Sequence, residues 1–482
     1  MKKKLFSLVI SALIPVSLLA QTAEKNQRDD QLFRSISQHT EEYGNMALEI
    51  WDYAELGYQE LKSSKLLQDK LIEEGFSLEV GVAEIPTAFV ATYGSGDPVI
   101  AILAEFDALP GLSQGAVSER KVLVDRGAVH GCGHHLFGVG SMAAGIAVKD
   151  WLTASGKTGT IRVFGTPAEE GGGGKVYMVK AGLFDDVDVV LHWHPSNANS
   201  ADAASSLANK SAKFRFHGQP SHAARYPHRG RSGLDGVEAM NHMVNMMREH
   251  IQDESRIHYV ITRGGEAPNV VPGFAEVFYY CRHPYPSVVK KNFEWIVQAA
   301  QGAAMGTQTT MDYEIIHGLL NVLPNESLGR VLHRNLLKVG GVYYDAEELA
   351  FANKLVESFG EAPFSIESAK AVKPFQVIEK GEGGSTDVGD VSWVVPTASI
   401  RTATWVPGTP SHSWQAVACG ATSIGTKGML VAAKTLAITA ADLIENPQSI
   451  LSAWTELRER RGNEFKYESL IGDRTPPLDY RN

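Results

Sequence analysis

At 482 residues the chain is longer than one hydrophobic core usually organises, so two domains are expected. Its 44% hydrophobic and 21% charged residues describe an ordinary globular protein. A formal net charge of −10 argues against nucleic acid as a partner.

In chain order, Lys2, Lys3 and Lys4 precede the apolar run "LFSLVISALIPVSLLA", Leu5 to Ala20. A basic start, a short apolar segment and a small residue before a polar stretch read as a secretory signal peptide over residues 1–20. Pro15 breaks the run, which is short for a bilayer span; an uncleaved anchor is the alternative. The expectation is an exported, periplasmic protein with no stable membrane span once the leader is removed.

Residues 29–75 read as helices, because "NMALEIWDYAEL" and "LKSSKLLQDKLIEEGF" carry apolar residues at three- and four-residue intervals. Apolar runs of strand length follow, each ending in a polar loop. "VIAILAEF" leads into "DALPG", "TIRVFGT" into "PAEEGGGGK", and "VDVVLHW" into "HPS". Between them, "GVGSMAAGIAVKDWL" and "KVYMVKAGLF" read as helices. This alternation predicts an α/β fold, a mostly parallel sheet flanked by helices, with ligands beyond the carboxyl ends of its strands.

From residue 207 the texture changes. "SAKFRFHG" alternates as a half-exposed strand and a helix follows over 233–250. Strands come next at "RIHYVIT" and "FAEVFYYCR", then a helix over 287–303 and a strand at "TTMDYEII". The order β-α-β-β-α-β predicts an inserted α+β domain over 207–319, between two parts of the first domain at 21–206 and 320–482. Val237, Met240, Val244, Met247 and Ile251 line one stripe of the first of these helices, which reads as a packing face.

The residues that could carry chemistry sit in the polar loops. Asp107 lies in "EFDALPG", Cys132 and His134 in "HGCGHH", and Glu169 and Glu170 in "TPAEEGGGGK". His192 and His194 lie in "LHWHPS", and the distant His412 in "GTPSHSW". A thiolate, imidazoles and carboxylates suit a borderline transition metal such as Zn²⁺ or Mn²⁺. Each signal is weak alone; delivery by separate strand ends to one rim is what points to a metal. Rival readings fail in detail. A c-type haem site needs a second cysteine, and a thioredoxin-type motif needs one where His135 stands. A phosphate loop needs glycine where Glu169 stands and Ser or Thr where Val176 stands. Three cysteines imply no disulfide framework, and Cys281 and Cys419 read as small buried residues.

Seven segments in order, "AEFDALPGLSQ", "HGCGHHLFG", "GTPAEEGGGGK", "WHP", "SHAARYPHRGRSGLDGV", "GGSTDVGDVSW" and "GTPSHSWQ", resemble peptidase family M20, specifically its amidohydrolase subfamily. The resemblance spans essentially the whole mature chain. It implies a catalytic domain holding two divalent metal ions, Mn²⁺ or Zn²⁺, and an inserted lid or dimerisation domain. Cys132 matches the bridging ligand, His134 and His194 ligands of one metal, and Glu170 and His412 ligands of the other. Glu169 matches the general base and Asp107 the carboxylate that orients a ligand imidazole. His222 matches a histidine that crosses a dimer into the partner's site, and Asn269, Arg282 and Gly384 match substrate-binding positions. His192 matches no family position and, like His130, reads as a structural neighbour. His135 stands where relatives carry Asn or Asp, which leaves its role open.

The resemblance implies hydrolysis of the amide of an N-acyl amino acid by metal-activated water, with p-aminobenzoyl-glutamate one such substrate. A homodimer, or a heterodimer with a related subunit, is the expected assembly. A metal-dependent dipeptidase or carboxypeptidase is the second enzymatic reading. A metal-loaded binding protein without turnover is the third, and retention of Glu169 beside all five ligands argues against it.

Overall fold

The computed structural model describes residues 24–125, 127–360, 364–381 and 383–481; the leader over 1–20 lies outside the described residues. Its strands are β1 (Ser77–Val80), β2 (Phe89–Ser95), β3 (Val99–Ala104), β4 (Gly159–Gly165), β5 (Val189–Ser196), β6 (Ala203–Ala204), β7 (Ala208–His217), β8 (Arg256–Arg263), β9 (Phe274–His283), β10 (Thr310–Leu319), β11 (Val377–Ile378) and β12 (Thr397–Ala403).

Six of them form one sheet in the order β1-β2-β4-β3-β5-β12. The pairs β4–β3 and β3–β5 are parallel, as the apolar runs predict, and β12, which no quoted run announced, pairs parallel with β5. The antiparallel β1–β2 edge is an addition that sequence patterning did not show, because β1 is largely exposed and carries no clear alternation. All six residues of β3 are buried, as expected of a strand covered on both faces.

The first helices, α1 (Thr40–Tyr53) and α2 (Leu61–Glu73), present narrow apolar stripes to this core. Helix α3 (His134–Ser155) is apolar nearly all round and buried through most of its length. Its glycines let it lie directly on the sheet. A Cβ at Gly145 would fall 2.5 Å from Val163 Cγ2, and one at Gly138 would fall 2.9 Å from the Glu105 carbonyl oxygen. That close approach brings the start of α3 against the carboxyl ends of β3 and β5. After β4 comes the short α4 (Gly174–Lys180). Among the described residues no single helix is long and apolar enough to cross a bilayer.

A second sheet, antiparallel throughout, has the order β10-β7-β9-β8. Its strands alternate with α5 (Gly233–Met247) and α6 (Pro286–Thr307) in the order β-α-β-β-α-β. The stripe Val237, Met240, Val244 and Met247 packs with Phe214, Phe216 and Val277 of the sheet and Ile296 of α6, in a core of its own. Ser232 caps α5 by accepting from the Asp235 amide. Beyond β10 the chain returns to the first core through α7 (Glu326–Val339) and later α9 (Ser423–Glu445), with α8 (Trp414–Gly420) packing in a small separate cluster around Trp405.

Candidate metal centre

Each ligand candidate reaches the centre by a local device. Gly133 (φ 85°) caps α3 in the left-handed region and turns the chain so that Cys132 lies before the helix and His134 in its first turn. His194 is near the end of β5, one turn of the pleat beyond His192, and both point away from the core residue Trp193. Glu169 and Glu170 follow Ala168, whose φ of 59° is strained for a non-glycine residue. The Ala168 amide donates to Glu60 Oε1 at 2.9 Å, and Glu60 Oε2 accepts from Thr87 Oγ1, so a buried carboxylate from the start of α2 holds this turn. His412 is also left-handed (φ 55°), and its amide donates to the Gly131 carbonyl at 3.0 Å.

The donors converge in two groups that share Cys132, and a third group joins His134 to Glu105 and Glu169. Ligand atoms of Cys132, His134 and His194 lie within 4.8 Å of one another, as do those of Cys132, Glu170 and His412. Cys132 Sγ is 3.3 Å from His194 Nε2, and His412 Nε2 is 3.4 Å from Glu170 Oε1. Ligands at about 2.0–2.3 Å from a tetrahedral ion stand about 3.3–3.7 Å apart, which fits both pairs. His134 Nε2 and Glu170 Oε1 are buried without a hydrogen-bond partner, as atoms that serve as metal ligands would be. The donor set therefore fits two divalent ions bridged by a thiolate.

Asp107 serves both groups. Its Oδ1 accepts from His134 Nδ1 at 2.9 Å, leaving Nε2 free as the ligand atom, and its Oδ2 accepts from the Glu170 amide at 2.8 Å. Burial alone would raise the Asp107 carboxyl, but the His134 imidazole and these hydrogen bonds hold it below the usual carboxylate range. Burial pushes the Cys132 thiol up. It pushes His194 well down, with the Arg401 guanidinium adding to the effect. Burial also raises the Glu169 carboxyl well above its ordinary value, with further contributions from Glu105, Glu170 and Asp387.

Several participants have no role in the sequence reading. Glu105 Oε2 comes within 3.1 Å of His134 Nε2 without hydrogen-bond geometry, while its Oε1 meets Lys175 Nζ at 2.7 Å. Lys175 is fully buried in the first turn of α4 and also pairs with Asp387 at 2.7 Å. This lysine closes the "GGGGK" run, and it neutralises the carboxylates behind Glu169 rather than binding phosphate. Arg401, on β12 beside β5, opens into the same cleft of about 700 Å³ as Cys132, Glu169 and Glu170.

The remaining candidates fall outside the two donor groups. His130 bonds the Ile50 carbonyl at 3.0 Å and His135 the Gly420 carbonyl at 3.0 Å, both fully buried. His135 is thus tied to the end of α8 and its ring is held near pKa 4, by burial first. His192 lines the cleft and stacks on Phe137 at 6.3 Å. Gly384 lines the cleft, with open space around the position of a Cβ. His222 and Asn269 occupy neighbouring exposed loops of the inserted unit, and neither forms a wall of the metal cleft within one chain. Arg282 lies on β9 with its Nε buried and unpartnered.

Residues 101–415 match the family described as Peptidase family M20/M25/M40. A component chain of the p-aminobenzoyl-glutamate hydrolase of Escherichia coli is 41% identical over 434 residues, covering 85% of this chain and 90% of that protein. The mouse (Mus musculus) Xaa-Arg dipeptidase is 29% identical, covering 86% of this chain and 88% of its own length. The solved structure of the aminobenzoyl-glutamate utilization protein from Klebsiella pneumoniae shares the fold with a TM-score of 0.60 at 19% identity, over 86% of this chain and 98% of that one. With the matched segment running from β3, ahead of Asp107, past the last candidate ligand, His412, the chain belongs to peptidase family M20/M25/M40.

Proposed function

We propose that this chain is an exported amidohydrolase that uses two divalent ions, Mn²⁺ or Zn²⁺, to cleave N-acyl amino acids, p-aminobenzoyl-glutamate among them. The observation that carries the reading is the pair of donor groups sharing Cys132, with Glu169 beside them. Hydrolase names among the relatives support the reaction class, and the name of the Escherichia coli relative supports the substrate and a multi-subunit assembly. Export rests on the leader sequence.

Cys132, His134 and His194 would hold one ion, and Cys132, Glu170 and His412 the other. When bound, such a pair supplies Lewis acidity toward the amide carbonyl and makes water nucleophilic at neutral pH. Glu169 takes the proton that the attacking water loses and delivers it to the departing nitrogen; its raised pKa suits a group that must hold a proton between those events. Asp107 keeps His134 and the Glu170 backbone in register. Lys175 balances Glu105 and Asp387, so the cluster carries less uncompensated negative charge.

Purified protein supplied with Mn²⁺ or Zn²⁺ should release amino acid from N-acyl amino acids or p-aminobenzoyl-glutamate. Glu169→Gln should lower kcat by about 10²–10⁴-fold while the fold persists. Wild-type rates in that variant would overturn the assignment. The mouse relative's name supports a dipeptidase as the second reading. Free dipeptides and N-acyl amino acids compared at equal concentration decide between the two.

A further inference from the structure

Arg401 is the cation that the mechanism above does not use. Strand β12 runs parallel to β5 with Arg401 registered against His194 and Ser399 against His192. Registered neighbours point to one face, so these side chains share the wall of the metal cleft. The Arg401 side chain is exposed to solvent through the cleft.

A guanidinium carries five donors and no acceptor, so an unpaired one in a cleft stands ready for an anion. Several other cations of this chain are paired. Arg28 is matched by Asp29, Asp442 and Glu445, Arg215 by Glu276 and Glu314, and Lys175 by Glu105 and Asp387. Arg401 makes no side-chain hydrogen bond or ion pair among the described residues. Cys132 and Asp202, the groups of the same cleft whose charge acts on it, make no hydrogen bond or ion pair with it, and Asp202 accepts from the Gln376 amide instead.

We propose that Arg401 is the anion-reading residue of the cleft. It binds a carboxylate of the substrate other than the α-carboxylate, so the preferred substrates are amides bearing a second acidic group. The inference rests on the amidohydrolase reading and narrows its substrate class. A carboxylate fits the planar donor fork in two-point contact, and the same group balances the positive charge beside His194. The second acid could come from the amino-acid side chain or from the acyl group, and both present the same chemistry to Arg401.

Two matched pairs separate these sources: N-acetyl-glutamate against N-acetyl-glutamine, and N-succinyl-alanine against its terminal amide, N-succinamoyl-alanine. In the wild type, kcat/KM should favour the acid over the amide by about 10- to 100-fold in one pair, which identifies the source. R401M should bring that ratio close to one, and R401K should restore part of it, which a purely structural role would not do. Ratios near one in both wild-type pairs, or a ratio unchanged in R401M, would overturn the proposal. If no amide is cleaved by the wild type, the amidohydrolase reading falls instead. Calorimetric titration of glutarate then decides for Arg401: binding about tenfold tighter to the wild type than to R401M supports it, and equal binding overturns it.

Discussion

The two oxygens of Asp107 contact both halves of the candidate centre, and this makes a single-atom change informative. Asparagine keeps the size of the side chain but offers one acceptor where aspartate offers two. Either His134 Nδ1 or the Glu170 amide would then face an amino group. Asp107→Asn should weaken metal retention by about 10–100-fold, read by competition with a chromogenic chelator, with activity falling in parallel. Unchanged retention would mean that His134 is oriented by the Asp107 carbonyl, 3.1 Å away, and not by the carboxylate. The five ligand candidates and Glu169 were legible in the sequence because each sits in a quotable motif. Glu60 and Arg401 sit in no such motif. Glu105 and Lys175 do, but their roles depend on partners far along the chain.

At the scale of elements, the inserted sheet is joined by a polar network as well as by its apolar face. His317 on β10 contacts Asn209 Nδ2 at 2.9 Å and Ser211 Oγ at 3.0 Å, both on β7. The Asn209 amide donates to Nε2, so Nδ1 carries the proton toward Ser211 and the ring is neutral. Burial, then the guanidinium groups of Arg282, Arg474 and Arg481, push its pKa down to about 3. The unfolded histidine, near 6.5, takes up a proton first, so stability is complete above pH 6.5 and is lost as pH falls toward 3. About 2–3 kcal/mol should be gone by pH 4.5. Urea unfolding at pH 7.5 and 4.5 checks this. His317→Gln should be less stable at pH 7.5 but lose less between the two values, and parallel losses in both proteins would refute the assignment. The β-α-β-β-α-β order itself was readable because β7 and β9 alternate and are flanked by strongly periodic helices. The pairing of β5 with β12 was not, since about two hundred residues separate the strands and local pattern cannot specify a partner at that distance.

Across the whole molecule, the segment from Tyr467 to Arg481 links the inserted unit, the main sheet and the metal centre. Tyr467 donates to Asp390 at 2.7 Å, ahead of β12, and its ring packs at the edge of the inserted unit's core. Arg474 bonds the carbonyls of Ile315 and Ile316 on β10, and Lys180 of α4 donates to the Gly472 carbonyl. Tyr480 packs edge-on against Tyr58 with centroids 5.6 Å apart and donates its hydroxyl to the Glu170 carbonyl at 3.0 Å, where Arg481 also donates. A candidate ligand is thus held from two sides, its amide by Asp107 and its carbonyl by this segment. Deleting residues 473–482 removes the second hold and the packing of Tyr480 on one face of the main sheet, while leaving Tyr467 and the buried residues of the apolar cores in place. The truncated protein should still unfold cooperatively but release metal about tenfold more readily to a chelator. Tyr480→Phe, which keeps the ring and loses the hydroxyl, should give a smaller change in the same direction. Retention equal to the wild type in both variants would show that Asp107 alone fixes Glu170 and that the segment serves only the packing of the two units.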